Sequence, residues 1–184
     1  LQGDEDQLPT WQRLARRQLG SRLASEDDIK RVVATYYGMA AYVDDQMRRL
    51  YNELGRRGLL DNTWLIIGSD HGDYPGEKGL FMKTESLYEC LLHVPLVIVP
   101  PAGARWPRGL KVEGLVDLTD LFPTFLEIAG VDVPAYTQGR SLIEWVRGGA
   151  SEPLRQAVFS QVGDYHGSLK TTSPGGIAEA GRHP

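Results

Sequence analysis

The stretch Ser69-Asp70-His71-Gly72-Asp73 sets a carboxylate beside an imidazole, and Lys83 follows a dozen residues on. Asp70 offers a hard oxygen, suited to Ca²⁺, Mg²⁺ or Mn²⁺. His71 offers a nitrogen, which favours Mn²⁺ or Zn²⁺ over Ca²⁺ without excluding it. Lys83 offers a fixed positive charge for an ester oxyanion. Neighbouring residues on a strand point to opposite faces, so Asp70 and His71 can reach one ion only where the strand has ended in a turn. Glycines at 72, 76 and 79 let the loop turn tightly and approach a ligand. The competing reading is an exposed Asp-His turn and a surface lysine. Two ligands do not hold a metal securely, so further ligands must come from elsewhere.

Other reactive side chains read as structural. Lys78 reads as a surface residue, His93 as a hydrogen-bonded structural histidine, and Cys90, among leucines, as a buried inert thiol. Asp45 belongs to a solvated face, whereas Asp44 lies beside an apolar stripe, where it could pair with a buried partner. His166 sits in too short a signal to use, and His183 reads as solvent-exposed. The sequence contains no Gly-x-Ser-x-Gly elbow, P-loop or Gly-x-Gly-x-x-Gly fingerprint.

The elements that must position these residues follow from pattern. The apolar run from Thr63 to Gly68 reads as a buried strand whose polarity flips at Ser69, where ligands sit in open α/β sheets. Ser25-Glu26-Asp27-Asp28 reads as a capping box, and apolar residues at 29, 32, 33, 36, 40, 43, 47, 50 and 54 predict one long amphipathic helix ending near Gly58. A short helix is expected from Thr84, a second buried strand over 94–99, a helix over 121–129, and a capping box at Ser141–Glu144 opening a helix to Arg147. A last strand is expected over 157–161. Trp11 to Leu19 reads as helical, within a surface segment.

The length suits one ordinary domain. Net charge is −4 with both signs mixed, so no nucleic-acid footprint is visible, and no apolar run approaches a membrane span. A single cysteine rules out an internal disulfide and a multi-cysteine metal cluster. The opening Leu1-Gln2-Gly3-Asp4 shows no signal-peptide pattern and leads us to expect an excised or incomplete chain.

Tyr36 to Gly103 resembles the C-terminal half of a sulfatase catalytic domain, in the alkaline-phosphatase superfamily. The resemblance rests on Tyr36-Tyr37-Gly38-Met39-Ala40-Ala41-Tyr42-Val43-Asp44, on Gly58-Leu59-Leu60-Asp61-Asn62-Thr63, and on Ser69-Asp70-His71-Gly72. Gly76-Glu77-Lys78-Gly79-Leu80-Phe81-Met82-Lys83, Tyr88-Glu89 and Val94-Pro95-Leu96 extend it. Val116-Asp117-Leu118 through Pro123-Thr124, with Gly139-Arg140-Ser141-Leu142, resembles the family's downstream part, so most of residues 26–162 is covered.

That resemblance implies an α/β, partial alkaline-phosphatase-like fold with a mixed sheet flanked by helices. It implies Asp70 and His71 as two ligands of one divalent ion (Ca²⁺, Mn²⁺, Mg²⁺ or Zn²⁺) and Lys83 as the residue binding sulfate or phosphonate oxygens. The position of His71 is often Asn in calcium-dependent sulfatases and His in the branch with phosphonate monoester hydrolases. The family's nucleophile is a formylglycine made within Cys/Ser-x-Pro/Ala-x-Arg, upstream of this region. That motif and the paired N-terminal aspartates are absent here, since Cys90 is followed by Leu-Leu-His, and Lys78 stands where the family often has His. We therefore expect residues 1–24 to be an approach segment, 25–162 the C-terminal portion of the catalytic domain, and 163–184 a polar, Gly-rich tail. The expected function is hydrolysis of small-molecule sulfate esters by a longer protein whose missing N-terminal half partners this chain. A phosphonate or phosphate monoester hydrolase is the alternative within the superfamily. A non-catalytic truncated product or binding module is the alternative outside it.

Overall fold

The computed structural model of the chain describes residues 8–18, 24–83, 86–148 and 154–161. Helix α1 spans Thr10–Gln18, close to its expected bounds. Although its segment reads as surface, Gln12 is buried.

Helix α2 spans Glu26–Arg56, and both predicted caps form. The Ser25 hydroxyl accepts from the Asp28 amide at 3.2 Å, and the Asp28 carboxylate accepts from the Ser25 amide at 3.0 Å. At the other end Gly58 takes φ 69°, and Leu59 donates back to the Leu54 carbonyl at 2.9 Å in a Schellman turn. The apolar stripe is another matter, because α2 has no buried residue. Val43, Met47 and Leu50 are 52%, 38% and 58% exposed. Asp44 finds no buried partner; it and Asp45 both meet the exposed Arg48, at 3.5 and 3.3 Å.

Strand β1, Leu65–Gly68, pairs antiparallel with β2, Leu96–Val99, with Leu65 opposite Val99 and Gly68 opposite Leu96. The fold is α/β, and among the described residues the sheet consists of these two strands. Both are shorter than the apolar runs suggest and half-buried rather than buried. Pro95 has no N–H to extend the ladder, so β2 begins after it.

Helix α3 is Glu89–Leu92, starting later than expected, because Tyr88 is extended (φ −72°, ψ 148°) with its hydroxyl bonded to Gln12. Helix α4, Leu121–Ile128, follows a 3₁₀ turn at Leu118–Asp120 and keeps Pro123 in its first turn. Helix α5, Ile143–Val146, lacks the expected capping box: Leu142 is its N-cap, and Ser141 accepts only a 3.3 Å bond from Ile143. Leu142 is fixed instead by its amide, which donates to the Thr124 hydroxyl at 3.0 Å. Residues 157–161 form no strand, and Phe159 is 88% exposed. Thr84, His166, His183 and the 163–184 tail lie outside the described residues.

Two small cores result. Tyr74, Leu80 and Leu91 pack together with Ala15, Tyr88 and Cys90. Leu142, Ile143 and Trp145 are buried further along the chain, as is Asp120. Asp120 accepts two bonds from the Arg155 guanidinium, at 2.8 and 2.5 Å, and backbone N–H bonds from Arg140 and Asp117, at 2.7 and 2.8 Å. No helix among the described residues is long and apolar enough to cross a membrane.

Candidate active site

Past Gly68 the backbone turns immediately. The Ser69 hydroxyl donates to the His71 carbonyl at 2.7 Å, and the His71 amide donates to the Asp70 carboxylate at 3.0 Å. This turn removes the strand alternation that would send Asp70 and His71 to opposite faces. Gly72 then runs against α3, its amide donating to the Leu91 carbonyl at 2.9 Å. A Cβ at this position would lie 1.8 Å from the Cys90 carbonyl oxygen. Gly72 therefore serves close approach to α3, while Gly76 and Gly79 supply the left-handed turns, at φ 105° and 68°.

The imidazole of His71 is oriented from both sides. Its Nδ1 lies 2.7 Å from the Gly72 carbonyl oxygen, which can only accept, so Nδ1 carries the proton. The Nε2 lone pair is left to accept from the Lys83 ammonium at 2.8 Å. The Asp70 carboxylate stands 3.8 Å from the same Nε2. The structure thus brings all three sequence-nominated residues together. The group is open to solvent: the Asp70 side chain is 87% exposed and that of His71 40%. Lys83 is exposed too.

His71 also lines a cleft of about 340 Å³, which Asp70 and Lys83 do not line. Tyr36 of α2 and Asp73, Glu77, Cys90 and His93 contribute to its walls. Sequence spacing gives no sign of Tyr36 in this role, since only tertiary packing brings α2 to the loop. Cys90 is half-buried rather than buried, and burial, with Glu77 beside it, pushes its thiol pKa up. His93 has the polar partner expected of it, meeting Glu89 at 3.0 Å, with its ring 79% exposed. Lys78 is exposed with its ammonium 5.9 Å from the Tyr88 ring centre, and has φ 57°.

Asp70 and His71 suit a divalent ion in chemistry and spacing. With metal–ligand bonds of about 2.0–2.2 Å, one ion can span a carboxylate oxygen and an imidazole nitrogen at this separation. Among the described residues no group of three or more His, Cys, Asp or Glu gathers to complete such a site. The pair by itself offers two ligating atoms, the Asp70 carboxylate and the His71 Nε2.

Comparison with known proteins gives this pair a context. The family model described as Sulfatase matches residues 2–131. Arylsulfatase K of Xenopus laevis is 33% identical over 148 residues, covering 78% of this chain; the chain spans 27% of that relative's length. The phosphonate monoester hydrolase of Agrobacterium radiobacter superposes with a TM-score of 0.66 at 33% identity, over 71% of this chain and 26% of that one. A protein solved in complex with its substrate D-glucosamine-2-N,6-O-disulfate superposes at 0.56, with 31% identity, over 70% of this chain and 26% of that one. Matched by the family model over most of its length, the chain belongs to the sulfatase family, in the alkaline-phosphatase superfamily.

Proposed function

We propose that this chain is the C-terminal part of the catalytic domain of a sulfuric ester hydrolase, supplying two metal ligands and the cation that meets the substrate's oxyanion. The observation that carries this reading is the convergence of Asp70 and the Lys83 ammonium on the Nε2 of His71. In it, the Lys83 ammonium gives up the Nε2 lone pair of His71 to the divalent ion, which that nitrogen and Asp70 would hold, and the Nδ1 bond to Gly72 keeps the imidazole in the tautomer that ligation requires. When bound, such an ion supplies Lewis-acid polarisation of an ester oxygen, and the family's formylglycine, outside this chain, supplies the attacking oxygen. Lys83 binds the equatorial oxygens and opposes the negative charge that grows on them as the ester bond breaks. The open face of Asp70 is where the remaining ligands, from the N-terminal half of the domain, complete the site.

A phosphonate or phosphate monoester is the second reading, favoured by the solved phosphonate monoester hydrolase at 33% identity. The test is metal content and turnover in a protein containing this chain and the N-terminal half. Asp70→Ala is expected to lower metal occupancy after dialysis. Lys83→Ala is expected to lower catalytic efficiency by at least ~10-fold, at the modest end for one lost charge-stabilising donor. Aryl sulfate against aryl phosphonate turnover separates the two substrate classes. Full metal occupancy in Asp70→Ala together with a wild-type rate in Lys83→Ala would overturn the assignment.

A further inference from the structure

Gln12 lines neither the metal pair nor the cleft, yet only 3% of it is exposed. Its amide reaches two points distant in sequence. The Nε2 donates to the Lys78 carbonyl at 3.1 Å, across 66 positions. The Oε1 accepts from the Tyr88 hydroxyl at 3.1 Å, across 76 positions. These two points bracket Lys83.

The chain from Pro75 to Met82, which leads to Lys83, is bent sharply. Pro75 and Phe81 form an antiparallel bridge, and the Gly76 amide donates to the Leu80 carbonyl at 2.9 Å. Gly76, Lys78, Gly79 and Met82 all have positive φ. Lys78 and Met82 carry a Cβ, for which that conformation is disfavoured and lasts only where the surroundings over-determine it. Gln12 holds the carbonyl of the first. The second immediately precedes Lys83. Helix α1 also packs Ala15 on the core around Leu80 and lays the Arg16 guanidinium against Gly79, where a Cβ would be 2.6 Å from its Nη2. A primary amide can donate to a carbonyl and accept from a hydroxyl at once, and both partners are lost to an apolar side chain.

We propose that Gln12 is a positioning residue for Lys83: by tying Lys78 to Tyr88 it fixes the loop that carries the ammonium to His71. The inference rests on the role given to Lys83 above, and its test has one arm independent of that role. Gln12→Glu keeps an acceptor for Tyr88 but presents only oxygen to the Lys78 carbonyl; Tyr88→Phe removes the hydroxyl that donates to Gln12 and keeps the bond to Lys78; Gln12→Leu loses both.

In the protein containing this chain and the N-terminal half, hydrogen exchange of the 76–83 amides is expected to quicken by at least ~10-fold in Gln12→Glu and Gln12→Leu, as a buried bond is lost. Exchange in β1 and β2 should stay unchanged. Catalytic efficiency should fall, mainly in kcat, and the fall should vanish when Gln12→Glu is made in a Lys83→Ala background. Unaltered exchange in the loop would overturn the proposal. So would an equal loss of efficiency with and without Lys83, which is the mark of a general structural role. Should Gln12→Leu not fold, Gln12→Glu and Tyr88→Phe carry the same comparison. Absence of any ester turnover in the wild type would sink the proposed reaction, and the exchange arm would still decide whether Gln12 holds the loop.

Discussion

Gly72 leaves no room for a side chain, because a Cβ there would meet the Cys90 carbonyl oxygen at 1.8 Å. Gly72→Ala is expected to push the Asp70–His71 turn off α3, at the ~1–3 kcal/mol typical of overpacking. A thermal melt with a parallel metal titration checks this; an unchanged melting temperature would show that the backbone yields freely. Cys90 makes a second case. Its thiol pKa is raised, first by burial and then by Glu77, so little thiolate is present at neutral pH. Alkylation should be slower than for a free peptide thiol, and Glu77→Gln should quicken it. At this scale the sequence was readable where chemistry changes abruptly along the chain. Asp70 and His71 announce themselves by a polarity flip at a strand end. Gln12 does not, since nothing local distinguishes a glutamine whose partners lie 66 and 76 positions away.

The elements are held by a few polar locks. Asp120 is wholly buried and its guanidinium partner Arg155 is 15% exposed, so the carboxylate has no water to fall back on and the guanidinium little. Asp120→Ala strands that guanidinium and two backbone N–H groups, and is expected to cost ~3–5 kcal/mol by urea denaturation. A loss below ~1 kcal/mol would mean that the pair relaxes into solvent. The capping carboxylates give a pH dependence. Hydrogen bonds from Ser25 hold the Asp28 carboxyl below its ordinary range, and those from Thr119 do the same for Asp117. A lowered folded-state pKa means that the contribution is complete above the unfolded value, about 3.9, and is lost as pH falls through the folded one. Asp117→Asn should therefore flatten the acid limb of a melting-temperature profile by lowering the melting temperature near neutrality, with little change once pH has fallen below the folded pKa. Helix ends were legible because caps are local chemistry, as at Ser25 and Gly58. The start of α5 was not, because the Thr124 hydroxyl, brought in by α4, takes the Leu142 amide.

For the molecule as a whole, α2 is the outlier. Spacing told which of its residues would share a face, but not whether anything packs on that face. A 31-residue helix with no buried residue leaves a long apolar stripe open to water. Expressed alone, these 184 residues are expected to self-associate and to turn over neither aryl sulfate nor aryl phosphonate. Light scattering after size exclusion checks the first point, and a monodisperse monomer would count against it. Metal-dependent turnover by the purified short chain, abolished by Asp70→Ala, would overturn the second. The clamp at Gln12 also sets an order of events during synthesis. Tyr88 is 76 residues later, so at about 5–20 residues per second Gln12 waits roughly 4–15 s for its partner to be made. Until then α1 is a nine-residue helix, too short to persist alone in water. The loop that carries Lys83 should accordingly set only after Tyr88 has been made.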